Sequence, residues 1–281
     1  MIKLFRHFCI TGIILASTLF VISGSTFCAT GNIQEQILPD IGKTIPRQAG
    51  VTDVRETVFY YRAQNDLLTY LDTTVSYGFT DRIGIRFNLP IILLYQKLGN
   101  HSQGSGDLRV ELSANIYMVE TFLLNVMGGM SFPVGNVKKV PNIGTGAYGF
   151  TGQFTVVHNS HEWYMGERVA WHVTSTKHHF KNGNEFNLEL GFGKRMHFDE
   201  SSPSSFYYIV QLVTLLNEQD RLLKKKLPNT GQAVIFFGPL LSWARSNFLM
   251  EGSFQVPIAQ NRFGIQPQFD FRTALTVEIK F

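Results

Sequence analysis

The last thirteen residues, FDFRTALTVEIKF, divide by alternate positions into two unlike sets. Phe269, Phe271, Thr273, Leu275, Val277, Ile279 and Phe281 carry no charge. Asp270, Arg272, Glu278 and Lys280 fall with Ala274 and Thr276 on the other side. Side chains alternate across a strand, so this segment reads as a strand with one apolar and one ionised face. The pattern recurs upstream. In GDLRVELSANIYM, Leu108, Val110, Leu112, Ala114, Ile116 and Met118 oppose Asp107, Arg109, Glu111, Ser113, Asn115 and Tyr117. In IGIRFNLPIILLY, Ile83, Ile85, Phe87, Leu89, Ile91, Leu93 and Tyr95 oppose Arg86 and Asn88. In NEFNLELGF, Phe186, Leu188, Leu190 and Phe192 oppose Glu185, Asn187 and Glu189, and in FLMEGSFQVPI, Phe248, Met250, Phe254, Val256 and Ile258 oppose Glu251, Ser253 and Gln255. Counted this way, residues 54–281 predict about twelve strands. The first, near 54–63, is the least regular, and Glu167 breaks the alternation of the seventh, near 162–173.

The links between these strands have their own rhythm. From the second strand onward, short links alternate with longer polar ones at 96–105, 135–146, 174–183, 217–231 and 259–267. The strands run to about 12 residues, against about 5–6 in soluble sheets and about 9–11 in strands that cross a hydrocarbon layer at a tilt. The expected fold is therefore all-β: a transmembrane, antiparallel, up-and-down barrel over 53–281, with short periplasmic turns and longer extracellular loops. In such a barrel the apolar set faces lipid and the polar set faces the lumen. An Arg or Lys on the lipid face at the midplane costs about 2–4 kcal/mol, which accounts for the uncharged face.

Composition narrows the class further. The chain has 281 residues, 44% of them hydrophobic, yet its mean hydropathy is near zero, too polar for a bundle of membrane helices. The beginning differs from the rest. Lys3 and Arg6 precede the apolar run CITGIILASTLFVISG, the pattern of a secretory signal peptide. Cleavage after Ser25 has small residues at the required positions; cleavage after Ala29 would place Phe27 there, and Phe27 also speaks against a lipoprotein anchored through Cys28. With Cys9 removed, no internal disulfide can form. Loss of Lys3 and Arg6 leaves 23 basic against 21 acidic residues, a net charge of +2, and no nucleic-acid partner is expected. An exported barrel of this kind belongs in the outer membrane of a Gram-negative bacterium. Residues 30–52, polar with two prolines, are expected either to enter the lumen as a plug or to remain in the periplasm.

Four stretches carry a family resemblance: VSYGFTDRIGIRFNLPII; GSGDLRVELSANIY; SFPVGN followed by GTGAYGFTGQ; and FFGPLLSW followed by EGSFQVPI. Together, over roughly 55–281, they resemble the outer-membrane family linked to the meta-pathway of phenol degradation. The resemblance implies a barrel that passes hydrophobic or aromatic compounds. It carries no catalytic signature. The C-terminal Leu275, Val277, Ile279 and Phe281 also resemble the terminal signal of outer-membrane proteins, which implies recognition by the barrel-assembly machinery.

The expected lumen lining holds both signs of charge: Arg86, Asp107, Arg109, Glu111, Arg168, Glu185, Glu189, Glu251, Asp270, Arg272, Glu278 and Lys280. Either these groups filter a small-molecule solute, or they form a paired network that fills a narrow barrel. Lys224, Lys225 and Lys226 in the extracellular RLLKKKLP are candidates to contact lipopolysaccharide phosphates, against the plainer reading of a solvated loop. His158 and Ser160 in HNSHEW raise an esterase as the least favoured class, and His178 and His179 lack the further ligands a metal would need. Tyr77, Phe79, Tyr95, Trp163, Tyr208, Trp243, Phe248 and Phe281 are candidates for interfacial aromatic girdles. No cofactor is expected.

Overall fold

The computed structural model describes residues 49–281, apart from 65, 98, 120, 142, 161, 200–203, 229, 246 and 265–267. The signal peptide expected at 1–25, and the 30–52 segment up to residue 48, lie outside the described residues.

Twelve strands make the wall: β1 (Thr52–Ala63), β2 (Asp66–Gly78), β3 (Ile83–Lys97), β4 (Leu108–Val119), β5 (Phe122–Phe132) and β6 (Gly149–Asn159). The second half comprises β7 (Trp163–Thr174), β8 (Glu185–Asp199), β9 (Ser204–Asn217), β10 (Gln232–Arg245), β11 (Phe248–Arg262) and β12 (Phe271–Lys280). Each pairs antiparallel with the next, and β12 returns to β1. That seam aligns Asp53–Arg62 with Lys280–Phe271, and the Phe281 amide donates to the Thr52 carbonyl at 2.8 Å. Closure leaves the wall without a free edge in lipid, where each unpaired backbone group would cost several kcal/mol.

The distribution of side chains is inverted relative to a soluble protein. Leu112, Phe150, Phe192, Phe254 and Leu275 are exposed, whereas Thr57, Ser113, Asn125, Thr155, Gln255 and Glu278 are buried. Directly paired polar residues fasten to one another inside the wall: Thr57 to Thr276 at 3.0 Å, and the Asn88 amide to the Thr74 hydroxyl at 2.9 Å. Asn125 donates to both Ser113 and Asn115 at 2.8 Å. A buried amide without such partners would cost about 1–3 kcal/mol.

Aromatic pairs ring the end where the short turns lie. Tyr77 meets Phe79 at 5.4 Å, Tyr117 meets Phe122 at 5.9 Å, Trp163 stacks on Phe192 at 5.3 Å, and Trp243 meets Phe248 at 5.7 Å. Lys194 reaches over the Trp163 ring. A belt of rings with an ammonium beside it suits the membrane–water boundary.

Two bulges change the faces expected from simple alternation. In β4 the register skips Ile116, so Tyr117 joins the outer aromatic ring and Met118 turns inward to pack beside Leu123. In β3 the register skips Leu93, which brings Tyr95 opposite Leu68 on the inner side; Tyr95 lines a cleft under the β5–β6 loop and does not belong to an outer girdle. An inserted residue shifts the period of two by one, so every later side chain changes face.

Carboxylates interrupt the apolar outer wall at two mid-strand positions. Glu167 is paired between Val156 and Leu190, and Glu56 between Val277 and Thr73. The Thr73 hydroxyl donates to Glu56 at 2.9 Å. These are the residues that made the seventh and first strands irregular in sequence.

Candidate functional site

The inner face of the barrel is the candidate site. Three of its ion pairs join residues that stand directly opposite on neighbouring strands: Arg55 with Glu278 at 3.0 Å, Arg168 with Glu189 at 2.6 Å, and Arg86 with Glu111 at 3.8 Å. Cross-strand opposition places complementary charges within reach without bending the backbone. Neutral groups complete the coordination: the Thr151 hydroxyl donates to Glu111 at 3.1 Å, and the Asn187 amide donates to Glu189 at 3.0 Å. Arg109, from β4, lies in the field of Glu185 on β8, Asp72 on β2 and its own strand's Glu111. Such pairs add little net stability when intact, because desolvation offsets attraction, yet removing one partner costs about 3–5 kcal/mol.

Arg272 belongs to a different neighbourhood. Its Nε donates to Gln255, whose amide donates in turn to Gln211 at 2.7 Å. The guanidinium also covers the ring of Phe236. From Phe236 a train of rings runs inside the extracellular half of the barrel. Phe236 meets Phe269 at 5.4 Å, Phe269 meets Tyr61 at 6.4 Å, and Tyr61 and Phe59 flank Tyr70 at 6.1 and 4.8 Å. These spacings are those of favourable aromatic contacts. Val213 and Val234 form one buried cluster with Phe236.

The periplasmic half is floored differently. Leu123, Val157, Tyr164, Tyr207, Ile209 and Leu240, drawn from β5, β6, β7, β9 and β10, form one buried cluster. Arg195 donates to the Tyr207 hydroxyl through Nε and Nη2 at 3.0 and 2.7 Å, and Asn159 approaches the same hydroxyl at 3.4 Å. Sequence reading missed both apolar groups because it assigned the inner face to polar residues alone. The signal was present in segments where both faces are apolar: FTVV, YYIV, VTLL and AVIFFGPLLSWA.

The family model named for the MetA-pathway of phenol degradation matches residues 42–264. The chain belongs to that family. Among solved structures, an outer membrane channel from Pseudomonas putida F1 superposes with a TM-score of 0.65 at 14% identity, over 88% of this chain and 100% of the other. The β domain of the Bordetella autotransporter BrkA gives a TM-score of 0.52 at 11% identity, over 83% of this chain and 100% of the other. A search of curated proteins finds no match. At these identities the likeness concerns the fold, which is that of the outer-membrane proteins of Gram-negative bacteria. With its inverted wall, this family member is an outer-membrane barrel.

The remaining expected site residues fall in distinct places. Glu185, Glu189 and Glu251 stand on inner-face positions, Glu251 buried opposite Ser242. Asp107 precedes β4 and holds the β5–β6 loop: it accepts from the Gly135 and Thr145 amides at 2.9 and 2.7 Å and from the Thr145 hydroxyl at 2.6 Å. Asp270 precedes β12, where it accepts from the Gln64 amide and meets Arg62 at 3.6 Å, both side chains substantially exposed. Asp107 and Asp270 are thus loop anchors at the extracellular rim. They were assigned to the lumen because the alternation continues through them, although the strands begin one residue later. Lys280 lies at the opposite rim, its backbone bonded to Asn247 of the β10–β11 turn. Leu275, Ile279 and Phe281 are exposed on the outer face that Val277 shares.

His158 and Ser160 do not combine. His158 alternates with the buried Val157 and Asn159 and so lies on the outer face, whereas the Ser160 hydroxyl accepts from the Trp163 amide at 2.9 Å and closes the turn. His178 and His179 form a hairpin tip, and among the described residues no cluster of metal-binding side chains surrounds them.

Proposed function

We propose that the barrel is a passive, non-catalytic channel for small solutes with an aromatic or otherwise hydrophobic part. The observation that carries this reading is the train of rings Phe236, Phe269, Tyr61, Tyr70 and Phe59 inside the extracellular half, with Arg272 at one end. A wall of ring faces and edges offers an aromatic solute contacts that water cannot supply. The adjoining ionised belt supplies partners for hydroxyl or carboxylate substituents. Membership of a family named for phenol degradation supports the same solute class, and likeness in fold to an outer membrane channel of Pseudomonas putida F1 supports a channel.

A second reading has its own observation. The apolar cluster at the periplasmic end joins strands as far apart as β5 and β10, as expected of a lumen filled for strength. Reconstitution separates the two. The purified barrel in planar bilayers and liposomes should give conductance and faster entry of phenol and benzoate than of glucose. Absence of both conductance and solute flux across that panel rejects the channel and leaves a structural or surface-interaction barrel.

A further inference from the structure

Two extracellular loops that are distant in sequence join into one small sheet. Phe180–Lys181, from the β7–β8 loop, pairs with Arg221–Leu222 from the β9–β10 loop, which pairs with Lys225–Lys226. Both tips are two-residue turns in the left-handed region: His178 and His179 at φ 47° and 64°, Leu223 and Lys224 at φ 51° and 67°. The Leu223 amide donates to the His179 carbonyl at 2.9 Å, which ties one tip to the other.

The registers sort the side chains. Lys181, Arg221 and Lys226 stand in one cross-strand row; Phe180, Leu222 and Lys225 stand in the row beside it, on the opposite face. Neighbours within a row are about 5 Å apart, so three cations are drawn up over about 10 Å. Glu218 approaches Arg221 at 3.9 Å, and Asp220 is held by the Gly183 amide. Among the described residues, no carboxylate forms an ion pair with Lys177, Lys181, Lys224, Lys225 or Lys226. Leu222 and Leu223 are 44% and 65% exposed beside them. A cluster of like charges with apolar residues at its tip is unfavourable in water alone and complementary to an anionic amphiphile.

From this arrangement we infer that the composite sheet is a docking surface for a phosphate-bearing glycolipid of the outer leaflet. The cation row binds the phosphates and the leucine tip lies against the acyl–headgroup boundary. Charge complementarity sets the headgroup chemistry, and the exposed leucines favour a lipid over a free anion. The surface is formed only when both loops are in place, so it anchors one side of the barrel mouth independently of what passes through the lumen.

The test titrates the full-length barrel in detergent micelles with purified lipopolysaccharide, with its dephosphorylated form, and with inorganic phosphate as competitor. Lys181→Gln/Lys226→Gln should weaken binding of lipopolysaccharide roughly thirtyfold, since each cation near an anionic surface contributes about 1 kcal/mol. The heat-dependent gel shift of the folded barrel should remain, which separates a lost surface from a lost fold. If the double variant lost that shift, Lys226→Gln alone, within the cation row, should still bind several-fold more weakly. Unchanged affinity in a folded variant, or equal binding of the dephosphorylated form, overturns the proposal. Displacement by millimolar inorganic phosphate also overturns it, in favour of a site for a free anion.

Discussion

The guanidinium carbon of Arg272 stands 4.9 Å from the ring centroid of Phe236, so the ionised side of the last strand meets an aromatic wall. The contact holds Arg272 between Gln255 and the rings, and leaves Phe236 with one face already covered by a cation. A cation–π contact is worth about 0.5–2 kcal/mol. Arg272→Ala should therefore lower the apparent affinity for phenol in liposome flux about three- to tenfold, with glucose entry unchanged or increased. Equal flux of both solutes before and after the change would detach Arg272 from solute selection.

Tyr70 is the central ring of its group, stacked against Phe59 at 4.8 Å and Tyr61 at 6.1 Å. Tyr70→Ala should raise the half-saturating concentration for aromatic solutes by up to about tenfold, given about 0.5–1.5 kcal/mol per aromatic pair. Tyr70→Phe keeps the stack and should behave almost as the unaltered chain. A loss of the same size in both variants would point to the hydroxyl and away from the ring.

Arg55 and Glu278 bridge β1 and β12, both with little side-chain exposure. Glu278→Gln leaves a cation facing a weaker acceptor and should destabilise the barrel by about 1–3 kcal/mol in urea unfolding, less than in a dry interior because the lumen admits water. The double change Arg55→Met/Glu278→Met should recover most of that loss. If the double variant were as unstable as the sum of the singles, the pair would not act as a unit.

Glu167 faces outward between Val156 and Leu190. Glu167→Leu should stabilise the barrel in lipid bilayers by about 1 kcal/mol, since acidic residues on the lipid face cost less than the 2–4 kcal/mol of basic ones. Glu56→Leu should gain less, because it also removes the acceptor of the Thr73 hydroxyl. Unfolding free energies in bilayers of one composition would compare the two.

Phe281 joins the seam through its backbone, while its side chain is 72% exposed. Phe281→Ala keeps both backbone bonds, so unfolding of the finished barrel should shift by less than about 1 kcal/mol. The yield of folded protein in the cell should fall, with unfolded chain accumulating in the periplasm. An unchanged yield would remove the assembly role of this side chain.

Strand number, loop rhythm and the inverted wall were legible because lipid enforces alternation over long segments. The ion pairs were legible only as a pool: Arg86, Glu111, Arg168 and Glu189 were named, but their pairing depends on inter-strand register, which no single strand encodes. Arg55 was missed because Glu56 beside it blurs the alternation of β1. Tyr95, Tyr117 and Met118 were placed on the wrong faces because each lies beyond a bulge, where one unpaired residue inverts the pattern. The rings inside the barrel escaped notice because Phe236 belongs to a segment apolar on both faces, and because Phe269 reaches the interior from a loop, its amide and carbonyl held by Gln260.

The seam between β1 and β12 has a kinetic consequence. Arg55 and Glu278 are 223 residues apart in the chain, and every pair along that seam is comparably remote. Because loop-closure entropy grows only logarithmically, the remoteness is a modest thermodynamic burden on the finished barrel. It weighs more on the search, since high contact order slows folding, and until the two ends meet both carry open hydrogen-bonding rims. The molecule is thus most vulnerable to mispairing just before its cylinder shuts, while its other strand pairs can already stand in register.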